Sequence, residues 1–174
     1  GVSLFQQDVI RERGFDLKLY FETLKAGLFI GLGTNLVAGA IGTRAPLGKL
    51  LAVGMLILGG AYLTFPYLVT EFQLYAYTFA IGVGGGIATF VFFAAWSFAY
   101  GPRDVGRIQG AAQLLTVIAS AVGPLLVAAS RESTGSFTQI FQVFAVTSFM
   151  FAALAWLIPV PNARAGHWAA KSAS

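Results

Sequence analysis

The chain has 174 residues, of which 57% are hydrophobic and 10% are charged, with a formal net charge of +4. Soluble domains carry about 25% charged residues, which form the surface that faces water. The composition therefore excludes an ordinary soluble domain and indicates a membrane protein. The sequence contains no cysteine, which excludes disulfide bonds and cysteine-ligated metals.

The basic residues are scattered along the chain and form no patch. This distribution argues against a nucleic-acid partner and is typical of loop charges that orient a membrane protein. The chain begins at Gly1, and no basic segment followed by an apolar one predicts a signal peptide. We expect a fragment or a trimmed chain in which residues 1–18 end a preceding helix; a disordered start is the alternative.

Five successive stretches contain no Asp, Glu, Lys or Arg. Each approaches or exceeds the roughly 20 residues that a helix needs to cross a membrane. The first does so only if it starts near Tyr20 and Lys25 extends its ammonium group to the interface. The sequence therefore predicts an all-α membrane bundle of five transmembrane helices plus the end of a preceding one. The five stretches are Ala26–Thr43, Leu50–Thr70, Phe72–Pro102, Ile108–Ser130 and Ser133–Ala163.

A short polar segment that contains glycine, proline and arginine, Gly101–Gly110, separates the third stretch from the fourth. Its composition predicts a loop at the membrane surface, with one helix entering and one leaving. The other separators are also short, so successive helices are expected to run antiparallel.

Basic residues are concentrated in alternate separators. Thr43–Lys49 and Gly101–Gly110 carry two each and the C-terminal tail carries Arg164 and Lys171, whereas the opposite separators carry only Arg131. The positive-inside rule therefore predicts a multi-pass protein of the cell (inner) membrane with a cytoplasmic C-terminus. Four further basic residues near the N-terminus, on the opposite side, weaken this bias.

Small residues four positions apart let helix backbones approach closely in lipid. The sequence has three such glycine pairs, and it has a Gly-Pro step that should bend the fourth helix. The predicted packing residues are Gly27, Gly31, Gly82, Gly86, Gly106, Gly110, Gly123 and Pro124.

Residues for catalysis are scarce. The single histidine, His167, follows the last stretch, and no stretch holds an acid at mid-membrane depth. The sequence shows no set of side chains for nucleophilic, acid–base or metal chemistry. An enzyme is therefore disfavoured, and neither a metal nor a cofactor is predicted.

Uncharged polar side chains, such as Thr89, do lie inside the stretches. Because an amide in lipid is unfavourable without a partner, these residues either bond neighbouring helices or line a water-filled path. Asn35 and Gln113 lie well inside their stretches and are the best candidates for the path. Lys25 forms either an interfacial pair with Glu22 or an outer charge that attracts anions. The predicted pathway residues are Asn35, Thr34, Gln113, Thr116, Trp96 and Lys25.

Three motifs cover the start, the middle and the later part of the chain: Gly1–Phe5 with Arg11–Phe15, Gly106–Gln113, and Gly123–Leu126. Together they resemble the C-terminal half of a major facilitator superfamily transporter, most closely its bacterial monocarboxylate-transporter-like branch. The resemblance extends over residues 1–174, from the end of the seventh helix to the twelfth. It implies one helical bundle containing helices 8–12, whose partners are the lipid bilayer and an N-terminal six-helix half.

The resemblance also implies a secondary transporter in which two six-helix bundles rock about a central site. The implied substrate is a small organic solute, a monocarboxylate-type anion, with a proton as the candidate coupled ion in symport. Carriers of this branch often have an Asp and an Arg within the eighth helix, where this chain has Thr34 and Asn35. The substrate's charge partner is then Lys25 or a residue on the other half.

The family's cytoplasmic signature, a glycine followed by Asp-Arg, has an echo at Gly39–Arg44, with Thr43 in place of the acid. Because Thr43 carries no carboxylate, the sequence leaves undetermined whether the salt bridge of the family forms at this position. Two alternatives remain: a membrane scaffold or accessory subunit that transports nothing alone, and a membrane enzyme whose catalytic residues lie elsewhere. The residues expected in cytoplasmic gating loops are Arg44, Lys49, Arg103, Asp104 and Arg107.

Overall fold

The computed structural model describes residues 17–42, 45–134 and 138–157. Within these ranges the prediction of an all-α fold is confirmed. The described segments form four helices and one short 3-10 helix between the second and third. These are α1 (Leu17–Gly42), α2 (Leu47–Thr64), the 3-10 helix Phe65–Tyr67, α3 (Glu71–Thr134) and α4 (Thr138–Leu157).

Four helical segments of the described chain are long and apolar enough to cross a membrane. Many large apolar side chains on these segments are exposed. Leu36, for example, is 77% exposed and Phe72 is 81% exposed. An apolar surface of this extent fits a protein that is surrounded by lipid. The segments are Phe21–Gly42, Leu47–Tyr67, Glu71–Ser97 and Thr138–Leu157.

The first helix begins earlier than the predicted stretch, which started at Ala26. It includes Glu22 and Lys25, and both of these side chains are exposed. An exposed charge at a helix end can reach the interface, so its presence does not end the helix. The predicted end of a preceding helix, in residues 1–18, lies almost entirely outside the described residues.

The first part of α3 is central to the bundle. One side of it packs against α1 and another against α2, and α4 packs against α2. Gly27 lies beside Thr78, and Gly31 lies beside Gly82, so α1 runs parallel to α3. By contrast, the contact of Gly54 with Ile87 and that of Phe65 with Tyr77 show that α2 runs antiparallel to α3.

Glycines bring the backbones of α1 and α3 into close contact. A Cβ atom added at Gly82 would lie 2.9 Å from the carbonyl oxygen of Gly27, and one added at Gly86 would lie 2.5 Å from that of Gly31. Because both neighbours are backbone atoms, no side-chain rotation can relieve these overlaps. In lipid, the burial of apolar surface contributes little to the association of helices. Van der Waals contact of this kind is therefore a main source of attraction between them.

One end of the bundle holds a cluster of aromatic rings, which we call the aromatic end. Phe65 is 1% exposed and lies between two rings, with its centroid 4.8 Å from Tyr77 and 4.5 Å from Phe141. At the opposite end, the ammonium group of Lys49 lies 5.5 Å from the centre of the Trp156 ring. We call this the lysine end; its cation–π contact joins the start of α2 to the end of α4.

The α2–α3 connection at the aromatic end is held by a capping box. The Gln73 side-chain oxygen accepts hydrogen bonds from the backbone N–H groups of Val69 at 2.8 Å and Thr70 at 3.2 Å. In return, the Thr70 hydroxyl oxygen accepts the backbone N–H of Gln73 at 3.3 Å. These bonds satisfy donors that the first turn of a helix leaves open, and they fix where α3 begins.

The sequence predicts a non-helical loop at Gly101–Gly110. This prediction of secondary structure is wrong, because α3 is helical from Glu71 to Thr134. A straight helix of these 64 residues would be about 96 Å long, far more than the roughly 30 Å of a membrane core. Helical hydrogen bonding continues through the segment that the composition marked as a turn.

The axis of α3 nevertheless reverses direction. Phe141 stacks on Phe65, which stacks on Tyr77 near the start of α3. Phe141 lies seven positions after Thr134, and a chain of that length reaches at most about 25 Å. The end of α3 must therefore return towards the aromatic end. We call Glu71–Ser97 the first arm and residues 106–134 the second arm; Pro102, which lacks a backbone N–H, lies between them.

The second arm packs loosely. An added Cβ at Gly106, Gly110 or Gly123 would meet nothing within 4 Å in the described part of the chain. In the described structure these three glycines do not make the close helix contacts that the sequence predicts for them. No described side chain of this arm is buried. The Pro124 side chain lies outside those described.

We expect Gly86→Ala to destabilise the bundle and Gly85→Ala to be tolerated. The added methyl group at Gly86 meets the Gly31 carbonyl oxygen, whereas Gly85 has no neighbour within 4 Å in the described structure. Overpacking of this kind costs about 1–3 kcal/mol. Thermal unfolding in detergent, followed by circular dichroism, should show a lower midpoint for Gly86→Ala alone; equal midpoints would contradict the close contact.

The reversal of α3 predicts a specific cross-link. Because the chain has no cysteine, Thr89→Cys combined with Thr116→Cys creates a single reactive pair. On a straight helix these positions would be about 40 Å apart, beyond the reach of a short bis-maleimide. We expect an intramolecular cross-link between the arms, identified by peptide mass spectrometry. The single variants serve as controls, and only intermolecular products would indicate a straight α3.

Candidate functional site

Two cavities lie beside the first arm of α3. The first, the α1–α3 cavity, has a volume of about 370 Å³ and extends from the aromatic end to Asn35 and Thr89. The second, the arm cavity, has a volume of about 560 Å³ and lies between α2 and the two arms of α3. Both volumes fall within the range of ordinary small-molecule sites, about 300–1,000 Å³.

The glycine contacts also create the α1–α3 cavity. Gly27, Gly31, Gly82 and Gly86 lie on its walls, where the lack of side chains leaves space beside the helix contact. Leu28 and Leu32 of α1 make much of the remaining wall apolar. The same residues therefore bring the helices together and leave room beside their contact.

Asn35 belongs to both the helix contact and the cavity wall. Its Nδ2 atom donates a long hydrogen bond of 3.5 Å to the carbonyl oxygen of Gly86, and its side chain also lines the α1–α3 cavity. The two roles considered for this residue are thus compatible. Thr34 does not line either cavity; its Cβ lies 2.9 Å from the position of a Cβ added at Gly86.

Aromatic rings form one wall of the arm cavity. The Phe92 ring is nearly perpendicular to the rings of Phe93, at 5.3 Å and 86°, and Trp96, at 6.3 Å and 83°. Leu51 and Met55 of α2 form part of the opposite wall. This arrangement provides ring edges and faces against which a planar apolar group can pack.

Polar side chains from both arms of α3 also line the arm cavity. Thr89 and Trp96 come from the first arm, and Gln113 and Thr116 come from the second. The predicted pathway residues Trp96, Gln113 and Thr116 are therefore brought together, although the sequence places Trp96 and Gln113 seventeen positions apart. Only the reversal of α3 makes this grouping possible.

The hydrogen-bonding capacity of Thr89, Gln113 and Thr116 is largely unused within the described structure. The Thr116 hydroxyl donates to the Ala112 carbonyl oxygen at 3.0 Å, so it can offer a ligand only an acceptor oxygen. The Gln113 amide and the Thr89 hydroxyl make no hydrogen bond to any residue that the structure describes. They remain available to a molecule inside the cavity.

Thr89 was not among the predicted pathway residues, yet it lines both cavities. Thr89 is therefore a residue that the linings of the two cavities have in common. The sequence signal was its spacing: Thr89 lies seven positions before Trp96, which places both on one face of the first arm. The side of the helix that faces each neighbour cannot be read from that spacing alone.

Lys25 is a predicted pathway residue that the structure does not place at either cavity. Its side chain is exposed and lines neither cavity. Glu22 and Lys25 are both described, and no ion pair joins them. The charge that was expected to meet an anionic substrate is therefore not on the walls of these cavities.

The structure describes the side chains of only some of the residues predicted for the gating loops. Lys49 lies over Trp156 at the lysine end, and the Arg107 side chain is exposed on the second arm. Arg103 and Asp104 lie within the helical assignment of α3, but their side chains are not among those described. Arg44 lies outside the described residues.

The described residues on the cavity walls are uncharged. The described part of the chain also contains no group of three or more His, Cys, Asp or Glu that could hold a metal ion. Amide and hydroxyl groups beside apolar and aromatic surfaces can bind and orient a small molecule.

Comparisons of the chain with family models, with curated proteins and with solved structures give no match. A functional proposal for this protein therefore depends on its own residues and geometry.

Proposed function

We propose that this chain is the C-terminal bundle of a secondary transporter for small organic solutes, of the major facilitator type, that works by alternating access. The observation that carries the proposal is the pair of cavities beside the first arm of α3. Each places uncharged hydrogen-bonding groups within an otherwise apolar helical bundle. Such groups are unfavourable in lipid unless a solute, water or another helix satisfies them.

In this proposal the chain crosses the membrane five times, through α1, α2, the first arm, the second arm and α4. The reversal of α3 supports this topology, since it lets the two arms run in opposite directions. The lysine end is cytoplasmic in this proposal, because Lys49 lies there and the positive-inside rule assigns basic residues to the inner side. The contact between Lys49 and Trp156 would then lie near the inner interface.

The proposed substrates are small organic molecules, and monocarboxylates remain the class that the family resemblance favours. A carboxylate would need a cation, and none of the described residues on either cavity wall is a cation. In this proposal the N-terminal six-helix half of the carrier supplies it. Proton coupling would likewise depend on titratable groups of that half.

The second candidate function is an accessory subunit that transports nothing by itself. The observation that favours it is the broad apolar face of α1, where Leu28, Leu32 and Leu36 are 70%, 65% and 77% exposed. A surface of this kind can pack against another membrane protein as readily as against the other half of a carrier. Solute uptake by the complete gene product separates the two functions.

Uptake kinetics test the transporter proposal. In proteoliposomes containing the complete gene product, Asn35→Ala and Gln113→Ala should each raise KM for the solute about two- to tenfold, since each removes a hydrogen bond of about 0.5–1.5 kcal/mol. Gln139→Ala is the matched control, because it removes an exposed amide on α4 that lines neither cavity. Unchanged KM for both test variants would assign their side chains to packing alone.

Reporter fusions test the orientation. Alkaline phosphatase fused after Thr70, at the aromatic end, should be active because that connection is external. The same enzyme fused after Ala45, at the lysine end, should be inactive, and green fluorescent protein fused after Ser174 should fluoresce. The opposite pattern would place the lysine end outside and reverse the proposed topology.

A further inference from the structure

We propose that the arm cavity is a binding site for a small uncharged molecule that carries one aromatic ring and one hydrogen-bonding group. The site lies between α2 and the two arms of α3, and its existence does not depend on whether the chain transports a solute. The inference therefore goes beyond the proposed function, and a direct binding measurement can test it separately.

Open hydrogen-bonding groups line one side of the arm cavity. The Gln113 amide offers two donors and an acceptor, and the Thr89 hydroxyl offers one donor and an acceptor. Neither group has a partner among the described residues, and both line the arm cavity. Thr116 adds an acceptor oxygen, because its proton is donated to Ala112. A ligand with an amide or hydroxyl group can satisfy this set.

The aromatic wall of the cavity favours a ligand that carries a ring. The rings of Phe92, Phe93 and Trp96 line the cavity on the same arm as Thr89. Their perpendicular arrangement exposes both ring edges and faces, which favours edge-to-face or offset contact with another ring. Met55, opposite them, has a flexible thioether that adapts to aromatic surfaces.

Charge distinguishes the ligands that this site can hold. None of the described residues that line the arm cavity is charged, so an ion inside it would lose hydration without gaining a counter-charge from these residues. The site should therefore select the neutral member of a series of related compounds. This property distinguishes it from a site for a carboxylate anion.

A lipid acyl chain is the competing occupant. It would cover the rings and Met55, but it would leave the Gln113 amide and the Thr89 hydroxyl without partners. Unpaired polar groups in a lipid environment are strongly unfavourable. The polar side of the cavity therefore favours a ligand with a hydrogen-bonding group over a plain hydrocarbon.

Binding of three ring compounds of similar size tests the proposal. The full chain in a neutral detergent is dialysed to equilibrium at pH 8 with labelled benzamide, toluene or benzoate, and empty micelles provide the blank. We expect benzamide to bind about three- to tenfold more tightly than toluene, as one or two neutral hydrogen bonds allow. Benzoate should bind most weakly. Equal binding of benzamide and toluene, or tightest binding of benzoate, would overturn the proposal.

Variants locate the binding in the arm cavity. Gln113→Leu should abolish the preference for benzamide over toluene while retaining the binding of toluene. The control Gln139→Leu should retain the preference, since Gln139 lies on α4 and does not line the cavity. An unchanged preference in a Gln113→Leu protein with the wild-type thermal midpoint would show that the ligand binds elsewhere.

Fluorescence provides an independent readout. Trp156→Phe together with Trp168→Phe leaves Trp96 as the only one of the three tryptophans. Benzamide should change the emission of this protein with the same concentration dependence as in dialysis. Benzamide binding without a change in Trp96 emission would contradict a site in the arm cavity.

Discussion

The bundle depends on the direct contact of the α1 and α3 backbones. Gly82 packs against the Gly27 carbonyl oxygen, and Gly86 packs against that of Gly31, at distances that exclude any side chain. In a membrane the lipid tails solvate apolar side chains as well as other helices do, so close fit has to supply much of the attraction. The same contact determines where the first arm of α3 lies relative to α1, and therefore where the α1–α3 cavity opens.

The reversal of α3 is the second determinant of the site. The first arm is fixed between α1 and α2, whereas the second arm has no buried described side chain. The arm cavity lies between a well-packed wall that carries Thr89 and Trp96 and a loosely packed wall that carries Gln113 and Thr116. A site of this construction can change its width through movement of one wall while the other remains in place.

Much of the fold could be predicted from the sequence, because hydrophobic length and glycine spacing are local signals. The role of Gly27, Gly31 and Gly82 in close packing follows from that spacing, although their pairing across α1 and α3 does not. A change of chain direction near Pro102 follows from the composition of the surrounding segment. The helical continuity of α3 could not be predicted, because glycine and proline indicate a bend without stating whether helical hydrogen bonds continue through it.

The candidate site was only partly predictable. The sequence identified Asn35, Trp96, Gln113 and Thr116 as polar or aromatic positions inside apolar stretches, and the structure places each on a cavity wall. It did not identify Thr89 as a residue that lines both cavities. The position of Thr89 between the cavities depends on which faces of α3 meet α1, α2 and the second arm. The sequence also favoured Lys25, because a charge is conspicuous in the sequence, but this side chain is exposed and lines neither cavity.

The position of Thr89 has a consequence for how the two cavities relate. Since one small side chain belongs to both, the space available on either side depends on which rotamer its hydroxyl and methyl groups adopt. A molecule that binds the hydroxyl in one compartment would favour one of these rotamers and so determine where the methyl group lies relative to the other compartment. Occupancy of one compartment would thereby be communicated to the other through a single χ1 rotation, without any helix having to move.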